Sequence, residues 1–222
     1  MARLERPESG RGRRGRRFES RAPRRSFLIV CEGERTEVDY FNAFPVRKDL
    51  LVVVRGEGKN TTSLVAAAIQ HADRAANDDL PFDEIWVVYD HDDFGAQNFN
   101  RAAEEVAALA NSRSEHWHAA WSHEAFEIWY LLHFQFFDSK LHRHHVQKRL
   151  GELLLQHCGR GYRKNDPNLY KLLLDRQPAA LQHARRLAVS HGVAPHGDTL
   201  PAAANPCTQV YLLVAALNDE IP

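Results

Sequence analysis

The chain has 222 residues, 44% of them hydrophobic and 26% charged, the balance of a globular protein that can bury a sizeable core. No apolar run approaches the roughly 20 residues a membrane span needs, and the arginine-rich start has no apolar segment behind it, so no secretory signal is expected. The net charge of zero conceals an asymmetry: residues 1–25 hold ten Arg against Glu5, Glu8 and Glu19, giving +7, and the remainder carries −7.

The arm RGRRGRR cannot bury enough apolar surface to fold alone and is expected to be disordered. Its Arg13, Arg14, Arg16 and Arg17 are candidates for neutralising phosphates of a nucleic acid, and a solvated tail is the plainer alternative. Beyond it, Phe27–Cys31 is a continuous apolar run, the pattern of a strand covered on both faces. A helix is expected over Thr36–Phe44, with Thr36 as N-cap and Pro45 as stop. Leu50–Val54 reads as a second strand, ended by Gly56-Glu57-Gly58. An alanine-rich helix then runs from Thr61/Thr62 to about Ala76. Glu84–Tyr89 is the third strand, Asn98–Ala110 a helix and His116–Trp121 the fourth strand. Helices follow over Glu124–Gln135, Leu141–Cys158, Pro167–Asp175, Ala179–Ser190 and Pro206–Leu217, with His191–Asn205 as a surface loop. Strands separated by helices of this length imply an α/β fold with a parallel sheet. Residues 26–122 would form that core, and residues 123–222 a mainly helical layer joined to it in one domain. Cys31, Cys158 and Cys207 are few and odd in number, which fits reduced thiols in a cytoplasm.

Two acidic clusters stand directly behind buried strands: Glu32, Glu34 and Glu37 after the first, and Asp90, Asp92 and Asp93 after the third. Ligands of open α/β sheets bind outside the carboxyl ends of the strands. Acids meeting there repel one another unless a cation lies between them, and hard oxygen ligands suit Mg²⁺ or Mn²⁺. Residues i and i+2 of an extended segment project to one side, so Asp90 and Asp92 can reach one ion. Glu37, in the first turn of a helix, reads better as a partner of the helix dipole than as a ligand. Glu127, one turn inside the helix that Ser122 is expected to cap, and Glu124 are possible supporting acids. Arg160, Arg163 and Lys164 lie on a basic, Tyr-bearing loop suited to a polynucleotide backbone. His142, His144 and His145 match no structural zinc spacing and read as an exposed helical face. Serine-hydrolase and P-loop signatures are absent, and a phosphatase with its D-x-D on the first strand does not fit a motif on the third.

The segment FLIVCEGERTEVDYF resembles the opening of RloB-like proteins, and its glutamate-glycine pair resembles the first motif of Toprim domains. VVYDHDDF is similar to the family's D-x-D-D-F segment, FEIWYLLHF at 126–134 to its F-E-x-W-x-L-L-H-F helix, and NPCT at 205–208, with Val210, to its terminal N-P-x-T-x-V helix. The resemblance covers residues 26–217 in the family's order. One departure is His123-Glu124, where the family has Asn-Pro after the serine. The resemblance implies a Toprim-like fold and a metal-dependent nuclease that acts in bacterial defence against phage with an RloA-like or other ATPase. It implies Glu32 as ligand or general acid/base and Asp90 and Asp92 as ligands and catalytic residues. Asp93 and Glu34 would help hold a second ion, two ions about 4 Å apart stabilising the attacking and leaving oxygens. The rival expectation is a non-catalytic module that binds nucleic acid or an ATPase, because one fold hosts several functions. DNA or RNA as substrate, and a homo-oligomeric state, stay open.

Overall fold

Strands that carry apolar residues at every position need cover on both faces. In a computed structural model, which describes residues 25–45, 50–58, 61–91, 95–140, 142–193 and 199–219, two strands have that cover. β1 (Ser26–Cys31) is buried throughout, and β3 (Glu84–Asp90) is buried as far as Tyr89. The remaining elements of the first half are α1 (Thr36–Asn42), β2 (Leu51–Gly56), α2 (Thr61–Asn77), α3 (Ala96–Ser112) and β4 (His116–His123). The second half holds α4 (Glu127–Leu132), α5 (Arg143–Cys158), α6 (Leu169–Leu173) with a 3₁₀ turn at Leu174–Arg176, and α7 (Gln177–Ser190). A 3₁₀ turn at Pro201–Ala203, the short β5 (Cys207–Thr208) and α8 (Val210–Asp219) complete it.

The sheet order is β2-β1-β3-β4-β5, with β1 to β4 parallel and β5 antiparallel to β4. From β1 the chain steps out to β2, then crosses back past β1 to β3. The direction of progress therefore reverses between β1 and β3, and the crevice beyond their carboxyl ends is where such sheets hold ligands. Register aligns Cys31 with Val88, and Asp90 with Ser122, so Glu32 and Asp90 leave the sheet side by side.

The parallel sheet agrees with the alternation of apolar runs and helices, and three local expectations need correction. Ser122 does not cap a helix: it lies in β4, fully buried, its hydroxyl 2.9 Å from that of Thr208. That pairing creates β5, whose two residues are too few to show any period of their own. Thr36 is not an N-cap either. It is the first helical residue, and its hydroxyl donates to Asn165 Oδ1 at 2.7 Å. Finally, α4 stops at Leu132, where His133 Nδ1 donates to the Trp129 carbonyl at 2.9 Å.

One contiguous core joins both halves. Tyr40 of α1 lies 5.8 Å from Phe126, 5.6 Å from Tyr130 and 5.3 Å from Tyr170, ring centre to ring centre. Edge-on aromatic pairs add about 0.5–1.5 kcal/mol each beyond the area they bury. They fasten α4 and α6 to α1, the helix that follows the loop after β1.

Candidate functional site

Glu32 is the first residue past β1, and its backbone is held on both sides. Its N–H donates to the Val88 carbonyl at 2.9 Å, and its carbonyl accepts from Gly58 at 3.0 Å. Its side chain turns toward β3, where Oε2 accepts the Asp90 N–H at 3.0 Å. Asp90 in turn reaches across the sheet, Oδ2 accepting the Phe126 N–H at 3.0 Å just ahead of α4. The other oxygen, Oδ1, is buried and has no hydrogen-bond partner. Burial pushes the Asp90 carboxyl well above the usual carboxylate range. Glu37, Glu127 and Glu32 push the same way, against the Phe126 N–H.

Glu37 lies in the first turn of α1, as expected for an acid at a helix N-terminus, and its charge also acts on Asp90. It is buried, and its carboxylate folds back over Gly33, so closely that a Cβ at Gly33 would occupy the same space. Burial raises the thiol of Cys31 as well, with Glu37 and Asp90 adding to it. Glu127 completes the group from α4. It is 4% exposed and its Oε1 accepts from Tyr162 Oη at 2.9 Å and from Gln147 Nε2 at 2.8 Å. Burial raises the Tyr162 hydroxyl above its ordinary range, and Glu127 beside it adds to the effect, so it stays a donor. Carboxylates from the loop after β1, from α1 and from α4 thus act on the Asp90 carboxyl at the end of β3. His91, the next residue after Asp90, stacks on His123 at 4.0 Å, and burial lowers His123 to about 4.

Other residues singled out from the sequence fall in several places. Asp92 and Asp93 lie outside the described residues, as do Arg13, Arg14, Arg16 and Arg17. Glu34 is exposed and stands against Gly58, in a cleft beside the ring rather than within it. Glu124 is engaged in structural contacts. Its Oε2 accepts from the Arg143 backbone N–H at 3.0 Å and its Oε1 from Asn205 at 3.3 Å, so it holds the start of α5 to the loop before β5. Arg160 is ion-paired with Asp166 within its own loop. Arg163 and Lys164 are exposed, and Lys164 lines the cleft that holds Glu34 and Glu37. His142, His144 and His145 are exposed at the start of α5. Among the described residues no group of three or more His, Cys, Asp or Glu is arranged to hold a metal ion. The donors present are all oxygens, and the bare Oδ1 of Asp90 is the kind of atom a hard cation would take.

The fold is thus a mostly parallel α/β sheet with carboxylates near its switch point, which makes the carboxyl ends of the strands the candidate site. The family model of RloB-like proteins matches residues 27–217, and the chain belongs to that family. Comparison with curated proteins and with solved structures gives no match. Among the described residues no helix is long and apolar enough to cross a membrane.

Proposed function

We propose that the protein is a metal-dependent nuclease that cleaves the phosphodiester backbone of nucleic acid, in phage defence and with an ATPase partner. Family membership supports the setting. The observation that carries the chemistry is the Asp90 carboxyl, buried among Glu37, Glu127 and Glu32 with one oxygen unpartnered. Like charges held close repel one another, and a bound cation would offset that repulsion.

Glu32 and Asp90 are the residues that would hold Mg²⁺ or Mn²⁺, with Asp92 following Asp90 in sequence. The ion would supply Lewis-acid stabilisation of the charge that develops on a phosphoryl oxygen. The chain's own residues keep the ligands still. The Asp90 N–H fixes Glu32, the Phe126 N–H fixes Asp90, and Tyr162 and Gln147 fix Glu127. Phe126 and Tyr130, both buried, pack against Tyr40 and against each other at the start of α4, next to the Phe126 N–H that holds Asp90.

The test is incubation of the purified full chain with plasmid DNA and total RNA in Mg²⁺, Mn²⁺ or EDTA, beside Asp90→Asn and Glu32→Gln. Cleavage should need metal and disappear in both variants. Cutting at the parent rate by both variants would sink the assignment. Metal binding by the parent with no turnover on either substrate would favour a binding module.

A further inference from the structure

Beside the carboxylate ring lies a cleft of about 280 Å³, lined by Gly33, Glu34, Arg35, Glu37, Lys164 and Asn165 among others. It opens between the loop after β1 and the loop before α6. Two hydrogen bonds from the second loop hold it in place: Asn165 accepts from Thr36, 129 positions away, and Tyr162 donates to Glu127. Asn165 turns with a left-handed backbone, φ 62°, a conformation asparagine adopts more readily than most residues. The loop is therefore fixed at both margins of the site.

The cations in this cleft are not used to neutralise its acids. Arg35 and Lys164 are exposed, and among the described residues neither side chain is in an ion pair or a hydrogen bond, although Glu34 and Glu37 line the same cleft. Two free cations thus stand beside the carboxylates, in a cleft that Glu34 and Glu37 also line. A phosphate chain crossing a metal site needs both. The lining contains no aromatic ring on which a base could stack, and the volume suits a phosphate with its sugar rather than a run of bases.

We propose that Arg35 and Lys164 form a phosphate subsite that holds the backbone phosphate next to the one cleaved at Asp90. This rests on the nuclease reading and deepens it: the substrate is a nucleic-acid strand gripped by charge, with no sequence read at this position. Tyr162 is a positioning residue for the subsite, because its bond to Glu127 places Lys164.

The experiment measures binding of a fluorescein-labelled single-stranded oligonucleotide to the full chain by anisotropy, in EDTA across a salt series. The proteins are the parent, Arg35→Gln, Lys164→Gln, the double variant and Asp90→Asn. The double variant should weaken binding and lower the salt slope by about 0.7, the counterion release expected for one phosphate on a single strand, and each single glutamine should lower it by part of that. Contacts made by the basic arm are common to all five proteins and cancel in the difference. Asp90→Asn should bind at least as well as the parent, since it removes an acid from beside the strand. The subsite is overturned if the folded double variant, checked by circular dichroism, keeps the parent slope, or if the parent binds no oligonucleotide. The nuclease reading is judged separately by cleavage with Asp90→Asn: cleavage lost there with the slope unchanged in the double variant removes the subsite alone.

Discussion

At the scale of single residues, Asp90 and His133 make opposite demands on pH. A carboxyl raised by folding holds its proton more tightly folded than unfolded. Its contribution to stability is present at low pH and is lost as pH climbs from the ordinary carboxylate range through the raised value. Asp90→Asn, which keeps an acceptor for the Phe126 N–H but cannot ionise, is expected to melt higher than the parent in EDTA at neutral pH. Mg²⁺ should reverse the order by stabilising the parent alone, and thermal melts with and without the ion check both. His133 behaves in the other sense. Fully buried, with Nδ1 on the Trp129 carbonyl and Nε2 bare, it is lowered from 6.5 to about 4. Its neutral form supports the fold above about 6.5, and that support drains away as pH falls toward 4, in total roughly 3 kcal/mol. Urea denaturation of the parent and His133→Leu over that interval should show the variant losing less stability on acidification. Equal losses would remove His133 from the account.

At the scale of elements, two glutamates close together in sequence have different tasks. Glu124 is structural: its carboxylate accepts the first N–H of α5 and pins the loop that leads to β5. Glu124→Ala should cost about 0.5–2 kcal/mol, the range of a lost helix cap, while cleavage keeps its metal requirement. Glu127 belongs to the ring, and its position depends on α5 through Gln147 and on the following loop through Tyr162. Tyr162→Phe removes a donor from a buried carboxylate and should cost about 1–3 kcal/mol. It should also weaken oligonucleotide binding, because the loop that carries Lys164 loses its anchor. Stability measured by denaturant and binding measured by anisotropy separate the two cases: a Glu124 variant moves the first only, a Tyr162 variant both.

At the scale of the whole molecule, the aromatic cluster makes the sheet and the helical half one folding unit. Phe126 is fully buried and touches Tyr40, Phe41 and Tyr130. Phe126→Ala should cost about 3–5 kcal/mol. Tryptophan fluorescence, which reports Trp86, Trp117 and Trp121 of the sheet and Trp129 of α4, and circular dichroism should still follow a single coincident transition. Two separated transitions would mean that the halves fold independently. Much of this architecture was legible in the chain. A run such as Phe27–Cys31 is apolar at every position only if it is covered on both faces, and the residue after it must emerge at the sheet's carboxyl end, so Glu32 and Asp90 could be placed from sequence. Their neighbours could not. Glu37 looked like a helix-dipole acid because its spacing is that of a first helical turn, and only the bare Gly33 beneath it lets the carboxylate fold into the ring. Ser122 had the sequence of a helix cap, and a strand more than eighty residues later claimed its hydroxyl instead. Thr36 was likewise claimed by Asn165. Sequence alone therefore determined which strands are buried and which acids leave their ends, because burial period and strand exit are local properties of the chain. Which carboxylates meet, and which cations stand beside them unpaired, was decided only by the tertiary structure, because a side chain's partners are set by segments that pack against it from far away in sequence.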